Sequence, residues 1–166
     1  MRRHIAFAVL IGTLAAGSFA AVASAVPPDH FTDSQDYSGS APCGSFDNLY
    51  QGHLDISGTT RFDQNGNPVQ DVVHISGWER NWRSDRPVVA FTAKRQFNVT
   101  FDYATNTEKD SGIIYTQSAP GQGVLFHDVG NILVDDATGQ VITVHGPHDT
   151  LAGGQPVFCN ALLALS

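Results

Sequence analysis

The most chemically distinctive stretch of this sequence is Gly-Trp-Glu-Arg-Asn-Trp-Arg, at positions 77–83. Side chains two positions apart share one face of a β-strand, so Trp78, Arg80 and Trp82 are expected to stand together. Two indole rings beside one guanidinium group can stack on a sugar, an aromatic ligand or an acidic partner. The alternative is a cation-π stack that closes one end of a hydrophobic core. We take these three residues as candidate ligand-binding positions.

Three further candidate ligand-binding residues carry groups capable of acid-base chemistry: Tyr115, His127 and His145 all fall on predicted strands. His145 begins the polar segment His-Gly-Pro-His-Asp, in which Asp149 can orient a histidine that acts as a general base. The Gly-Pro pair also predicts an ordinary turn at a strand end. The spacing of the histidines does not indicate that they converge, so we predict neither a metal site nor a catalytic residue.

The common catalytic and nucleotide-binding motifs are absent from the sequence. It has no Gly-x-Ser-x-Gly elbow, His-Glu-x-x-His pair, phosphate-binding glycine loop, dinucleotide fingerprint or calcium loop. The 166 residues carry a formal net charge of −7 without a basic stripe. This charge argues against nucleic acid and anionic membrane surfaces as partners. We therefore expect no cofactor and no common hydrolase or nucleotide-dependent enzyme.

The amino-terminal segment has the three parts of a secretory signal peptide. Arg2 and Arg3 precede an apolar run, and the tripeptide at positions 23–25, Ala-Ser-Ala, fits a cleavage site. The alternative is a retained membrane anchor, because residues 5–25 come close to the length that spans a bilayer. We predict that residues 1–25 are removed and that the secreted chain begins at Val26 without a membrane span.

The two cysteines of the chain, Cys43 and Cys159, lie near the two ends of the predicted mature chain. In an exported protein such a pair is usually a disulfide, and two separate thiols are the alternative. A bridge requires the two Cα atoms to lie within about 7 Å of each other. The sequence therefore predicts that the lead-in to the first strand of the domain lies beside the last segment of the chain.

The predicted mature chain divides into an arm and one domain. Residues 26–45 hold three prolines and no hydrophobic period, so we expect an extended arm. Residues 46–166 are expected to form a β-rich domain, in which apolar and polar residues alternate most clearly between Val89 and Asp102. In the first strand-like run, His53 and Asp55 share a polar face that indicates a solvated exterior. The strand-like runs span residues 48–62, 69–82, 88–102, 112–118, 123–135 and 140–146.

Short turns between these runs predict an antiparallel meander. Glycines at positions 58, 77 and 130 permit bends or bulges within strands. Together with the joined ends, they favour an all-β fold in which the meander closes into a barrel of six to eight strands. A two-sheet β-sandwich is the alternative. The one segment with helical character, residues 160–165, is expected to be a terminal helical turn or a final strand.

The run at residues 123–135 is apolar on both faces, so its outer face is expected to be covered. The candidates for this cover are the arm through Phe31 and Tyr37, the carboxy-terminal Leu162, Leu163 and Leu165, or a second subunit. We adopt cover from within the chain, and we expect a monomer or a weak dimer.

Several short motifs resemble those of small secreted actinobacterial proteins of unassigned function. They are Pro-Cys-Gly at positions 42–44, Ala-Pro-Gly-Gln-Gly-Val at 119–124, Asp-Val-Gly-Asn at 128–131, Val-His-Gly-Pro-His-Asp at 144–149 and Phe-Cys-Asn-Ala-Leu at 158–162. The resemblance covers nearly all of the predicted mature chain and implies no catalytic residues. The architecture also resembles lipocalin and allene-oxide-cyclase-type barrels, although the lipocalin Gly-x-Trp signature is absent near the first strand.

These observations predict a secreted, non-enzymatic β-barrel that binds a small apolar or aromatic ligand or an extracellular partner. A barrel of about eight strands has room for side chains or for one small ligand. One alternative is a small isomerase or cyclase in which Tyr115 and either His127 or His145 act as acid and base. Another alternative is a structural module of the cell envelope.

Overall fold

The computed structural model of the protein describes residues 26–119, 123–153 and 155–164. The predicted signal peptide, the predicted turn at residues 120–121 and Leu165 lie outside these ranges. None of the helices in the described ranges has the length and apolar character needed to cross a bilayer.

The described residues form an all-β fold with two short helices near the carboxyl terminus, which confirms the predicted fold class. The strands are β1 (Asp29–Pro42), β2 (Asp47–Phe62), β3 (Pro68–Arg83), β4 (Arg86–Asp102), β5 (Thr107–Ala119), β6 (Gly123–Asp135) and β7 (Val141–His145), followed by α1 (Asp149–Ala152) and α2 (Gln155–Leu163). The six predicted runs correspond to β2 through β7. The predicted terminal helical turn belongs to α2, which begins five residues earlier than expected.

The strands form one antiparallel meander in chain order, from β1 at one edge to β7 at the other. The predicted meander is therefore confirmed. The expected barrel closure is not found, because no backbone ladder joins β1 to β7 within the described residues. Register shifts interrupt the pairing of β4 with β5 and of β5 with β6.

The segment expected to be an extended arm is the edge strand β1, which pairs with β2 along its whole length. Three aromatic rings in this pair lie over glycines directly opposite them: Phe31 over Gly58, Tyr37 over Gly52 and Tyr50 over Gly39. A Cβ atom added at Gly52 would lie 2.4 Å from the ring of Tyr37. The glycines therefore make room for rings that fix the register of a strand with little hydrophobic period.

The core lies between one face of the sheet and helix α2, and we call this face the covered face. Phe158 of α2 contacts the ring of Phe91 edge-on at 5.8 Å and the ring of Phe126 at 6.2 Å. Leu162, one turn further along, is fully buried against Phe91 and Phe46. Sheet and helix thus share an aromatic core.

The predicted disulfide is present and connects this helix to the sheet. Cys43, just after β1, is bonded to Cys159 of α2, and their Cα atoms lie 5.4 Å apart. The amide of Gln155 also donates a hydrogen bond to the carbonyl oxygen of Pro42. The lead-in to β2 therefore lies beside the last helix, as the sequence predicts.

Part of the predicted cover of β6 comes from the carboxy-terminal candidates. Leu125, at a register shift in β6, packs with the cluster that contains the buried Leu162. Leu163 is 43% exposed and covers little. The arm does not supply the cover, because β1 lies at the opposite edge of the sheet from β6.

Candidate functional site

The two faces of β3 carry different chemistry. Trp78, Arg80 and Trp82 lie on the face of the sheet away from α2, which we call the open face. The intervening residues Glu79 and Asn81 lie on the covered face, where both are buried. Burial of a charged or amide side chain is costly unless its polar atoms are satisfied, so the partners of Glu79 define the site.

Four side chains surround the Glu79 carboxylate. Oε1 accepts hydrogen bonds of 2.8 Å from the Asn81 amide and from the Tyr115 hydroxyl. Oε2 accepts one of 2.8 Å from the Tyr37 hydroxyl and one of 3.2 Å from Nη2 of Arg95. These donors come from four different strands, so the cluster forms only in the folded sheet.

The cluster holds Glu79 as an anion. Burial alone raises the pKa of Glu79, but the hydrogen bonds from Asn81, Tyr115 and Tyr37 and the charge of Arg95 outweigh it and leave the pKa lowered. Burial and the neighbouring Glu79 raise the pKa of Tyr37 to about 12. The same two causes raise the pKa of Tyr115 further. Both phenols therefore stay protonated and act as hydrogen-bond donors.

Arg95 reaches this cluster at an irregularity in β4. The pairing of β4 with β5 shifts register between Lys94 and Gln96, which places Arg95 at the bulge. Its guanidinium lies over the Tyr115 ring, 4.9 Å from the ring centroid. Its Nε atom is buried and has no hydrogen-bond partner among the described residues. Arg95 is therefore held by Glu79 and by the Tyr115 ring.

A cavity of about 310 Å³ opens beside this cluster, between the covered face and the two helices. Its apolar walls come from Ile114, Phe126 and Phe158. The polar lining residues are Glu79, Arg95, Tyr115, Asp128, Thr150 and Gln155. The cavity therefore combines an aromatic wall with a few converging polar groups, which is the usual composition of a small-molecule site.

Asp128, on the cavity wall, is paired with the buried His148. Nδ1 of His148 lies 2.8 Å from the Asp128 carboxylate, and Nε2 lies 3.2 Å from the carbonyl oxygen of His145. Both ring nitrogens of His148 are therefore engaged within the protein. Burial raises the pKa of Asp128 against the lowering effect of the His148 hydrogen bond.

Gln117 adds a further unsatisfied group on the covered face. It pairs with Phe126 on one side and Ala93 on the other, and its side chain is fully buried. Neither its amide oxygen nor its amide nitrogen has a hydrogen-bond partner among the described residues. Buried amides without partners are rare in folded proteins.

Of the six residues predicted to bind a ligand, only Tyr115 lines this cavity. Trp78, Arg80 and Trp82 are on the open face, where the Arg80 guanidinium lies 5.7 Å from the Trp82 ring centroid. This contact matches the predicted cation-π stack, but Trp78 is 41% exposed and closes no core.

The two predicted histidines also lie away from the cavity. His127 pairs with Thr116 and so lies on the open face, while its backbone N–H donates a 2.7 Å hydrogen bond to Asp149. His145 is exposed on β7. The predicted acid-base set is therefore not brought together. The segment that contains Asp149 forms a turn and the start of α1, as the Gly-Pro pair indicates.

Sequence reasoning missed Glu79, Arg95 and Asp128. It expected Asp149 to orient a histidine of the His-Gly-Pro-His-Asp segment, whereas His148 of that segment is paired with Asp128. The alternation in β3 contained a usable signal, because Glu79 and Asn81 occupy one face and the tryptophans occupy the other. Arg95 shares a face with Ala93 and Phe97 by the alternation of β4, but the residues of β4 do not show that its guanidinium reaches Glu79. Pairing of Asp128 with His148 depends on how the chain returns after β7.

Among the residues that the structure describes, no group of three or more His, Cys, Asp or Glu side chains is arranged to hold a metal ion. No protein-family model, curated protein or solved structure matches this chain. The resemblance to secreted actinobacterial proteins and to lipocalin-type barrels therefore stays a prediction.

Proposed function

We propose that the protein is a secreted, non-enzymatic binding protein for a small, uncharged ligand with an aromatic or apolar body. The ligand lies in the cavity between the covered face and helices α1 and α2. The observation that carries the proposal is the cavity itself, in which the aromatic wall of Phe126 and Phe158 faces the polar cluster around Glu79 and Arg95.

The size and lining of the cavity favour a small ligand. A volume of about 310 Å³ lies at the lower end of the range for small-molecule pockets. An aromatic ring between Phe126 and Phe158 gains dispersion and edge-to-face contacts. The guanidinium of Arg95 and the hydroxyl of Thr150 both line the cavity and can donate to a carbonyl or ether oxygen of the ligand, which fixes its orientation.

The charges in the cavity favour a neutral ligand. Glu79 is an anion, Arg95 already neutralises it, and Asp128 brings a second carboxyl group to the wall. An anionic ligand would meet these carboxyl groups in a partly desolvated space, where like charges repel strongly. A neutral ligand avoids that cost.

Binding without catalysis is supported by the state of the titratable groups. All the acceptor positions of Glu79 that face the cluster are occupied by donors. Both nitrogens of His148 are engaged, and the raised pKa of Tyr115 makes it a weak acid. None of these groups is free to move a proton to or from a ligand.

An extracellular location is supported by the Cys43–Cys159 disulfide, because such bonds persist in oxidising compartments. The predicted signal peptide points the same way. In this setting the protein is a carrier or scavenger of its ligand.

The first test uses N-phenyl-1-naphthylamine, a neutral aromatic probe whose fluorescence rises in apolar surroundings. We expect saturable binding by the secreted protein. Thr150→Trp, which places an indole in the cavity mouth, is expected to weaken binding at least about tenfold. Leu151→Trp is the matched control, because Leu151 is the next residue of α1 and does not line the cavity.

Native mass spectrometry of secreted protein supplies a second test, since a carried ligand co-purifies as a fixed mass increment. Equal probe affinity in the Thr150→Trp and Leu151→Trp variants would contradict the site. Absence of any saturable probe binding, together with absence of a co-purifying molecule, would contradict the function.

A further inference from the structure

The open face of the sheet carries a second group of residues with the chemistry of a binding site. Trp78 leaves 41% of its surface exposed, although it lies in the middle of a four-strand stretch from β1 to β4. An indole in the centre of a sheet is usually covered by a neighbouring element. Here it is the floor of an open hollow.

The residues around Trp78 form two rows that cross the four strands. One row is Asp36, His53, Trp78 and Lys94, and the other is Ser38, Gln51, Arg80 and Thr92. Directly paired residues lie on the same side of a sheet, so both rows belong to the open face. Four adjacent strands span about 14 Å, so the rows form a shelf longer than a single sugar ring. We call this surface the tryptophan shelf.

The hollow on the shelf measures about 400 Å³ and is lined by Asp36, Ser38, Gln51 and Trp78, with Tyr37 and Gly52 contributing from β1 and β2. The side chains of Ser38 and Gln51 make no hydrogen bond to other described residues. Hydroxyl, amide and carboxylate groups therefore surround the exposed indole with free donors and acceptors.

His53 holds the carboxylate of Asp36 in place beside the indole. Its Nδ1 lies 2.7 Å from Oδ1 of Asp36, and its Nε2 lies 3.3 Å from Asp55. Only Oδ1 of Asp36 is used by this contact, so Oδ2 remains available to a ligand. A fixed acceptor costs less ordering on binding than a mobile one.

We infer that the tryptophan shelf is a binding site for a neutral polysaccharide. A pyranose ring has an apolar C–H face, which stacks on an indole, and a rim of hydroxyl groups, which pair with amide and carboxylate groups. The shelf offers Trp78 for the first contact and Gln51, Ser38 and Asp36 for the second. This site is separate from the cavity, because Trp78 and Glu79 are adjacent residues on opposite faces of β3.

The charges on the tryptophan shelf favour a neutral polysaccharide over an acidic polysaccharide. The shelf carries Asp36 beside His53 and carries Arg80 and Lys94 on the other side, so its positive and negative groups are mixed. The whole protein has a net charge of −7, which repels polyanions at low ionic strength. A neutral glycan meets no such repulsion.

The test is affinity electrophoresis of the secreted protein in native gels that contain soluble polysaccharides. The neutral set is hydroxyethyl cellulose, xyloglucan, galactomannan, laminarin and soluble starch, and the acidic set is alginate and hyaluronate. We expect retardation by at least one neutral polysaccharide and none by the acidic set. Trp78→Ala is expected to weaken retardation about tenfold or more, as for a central aromatic hot spot.

Gln51→Ala is expected to weaken retardation severalfold, and Trp78→Phe is expected to give an intermediate effect. These two variants keep the test valid if Trp78→Ala fails to fold. Tyr103→Ala is the matched control, because it removes an exposed aromatic side chain from the turn after β4. Thr150→Trp, which blocks the cavity, is expected to leave retardation unchanged, so failure of either site is seen independently.

Three results would overturn the inference: no retardation by any neutral polysaccharide, retardation by the acidic set alone, or retardation that is equal in the Gln51→Ala, Trp78→Phe and unchanged proteins.

Discussion

The hydroxyl of Tyr37, on the edge strand β1, donates a 2.8 Å hydrogen bond to Oε2 of Glu79, on β3. The two residues are separated by the whole width of β2, where the intervening position is Gly52. Because glycine has no side chain, the ring of Tyr37 lies across β2 and reaches the buried carboxylate. The edge strand is therefore joined to the polar cluster as well as to its backbone partner.

Tyr37→Phe is expected to destabilise the protein by about 1 kcal/mol. The change removes a hydrogen bond to a carboxylate, and the partial exposure of Tyr37 lowers its contribution. Tyr50→Phe is the control, because the Tyr50 hydroxyl makes no hydrogen bond among the described residues. The free energy of unfolding in urea measures both effects. Equal values for the two variants would show that the contact with Glu79 contributes nothing.

The pairing of aromatic rings with glycines is expected to appear as coupling between Phe31 and Gly58. A Cβ at Gly58 would meet three atoms of the Phe31 ring between 2.2 and 2.8 Å. Gly58→Ala is therefore expected to lower the free energy of unfolding by about 1 kcal/mol. In a Phe31→Ala background the same change is expected to lower it by almost nothing. A double-mutant cycle of unfolding free energies measures this coupling, and additive values would contradict it.

Gly52→Ala is expected to lower the free energy of unfolding more than Gly58→Ala does, by about 1 kcal/mol or more. At Gly52 the added Cβ would also lie 2.7 Å from the backbone carbonyl oxygen of Trp78. A ring can swing away from a methyl group, whereas the backbone of a central strand cannot. The same urea titrations compare the two variants, and a smaller loss at Gly52 would contradict the assignment.

Much of the sheet could be predicted from the sequence, because β2 through β7 show alternation or apolar runs between turn signals. Strand β1 could not be predicted from an alternation of apolar and polar residues, since its residues are mostly polar and exposed. Its position depends on Phe31 and Tyr37 meeting glycines of β2, which is a relation between two strands. Patterns within one strand do not contain such information.

The candidate site shows the same limit. Tyr115 could be singled out as a chemical group on a strand, but its partner Glu79 could not. Burial of Glu79 depends on which face of β3 receives α2, and the residues of β3 alone do not specify that face. The indole of Trp78 stays exposed because no element among the described residues covers the open face.

Asp110 makes the stability of the folded protein depend on pH below neutrality. Burial, followed by the charge of the neighbouring Glu108, raises the pKa of Asp110 to about 6 from its ordinary value of 3.8. The folded protein therefore binds more protons than the unfolded chain between these values, so stability falls as the pH rises through this window. Above pH 6 the carboxylate of Asp110 is charged, and the loss of stability that this charge causes is complete.

Asp110→Asn is expected to stabilise the protein at pH 7.5 by about 1 to 2 kcal/mol, because partial exposure screens the full effect. The gain should shrink towards zero below pH 4. Thermal unfolding between pH 4 and pH 8 measures it, with Asp29→Asn at the exposed start of β1 as control. A constant difference across this range would contradict the role of Asp110.

Loss of the disulfide is expected to cost about 4 to 5 kcal/mol in the chain-entropy description, since the bond closes a loop of 116 positions. Cys43→Ala combined with Cys159→Ala avoids a free thiol in either position. The free energy of unfolding of this variant should match that of the reduced parent protein. A loss below about 1 kcal/mol would indicate that the reduced unfolded chain keeps its ends together.

Phe158→Ala is expected to separate stability from ligand binding at the helix. The ring of Phe158 contacts both Phe91 and Phe126 and forms a wall of the cavity. Its partial exposure sets the expected loss at about 2 to 3 kcal/mol, below that of a fully buried ring. Since the disulfide still holds α2 beside β1, the variant should stay folded and lose affinity for N-phenyl-1-naphthylamine.

Leu163→Ala is the control for this change, because Leu163 lies in the same helix and is 43% exposed. Urea titration and probe binding on the same samples give both quantities. A Phe158→Ala variant that loses stability but keeps full probe affinity would place the probe away from the aromatic wall. Because Phe158 forms the apolar wall together with Ile114 and Phe126, such a result would contradict the proposed ligand class.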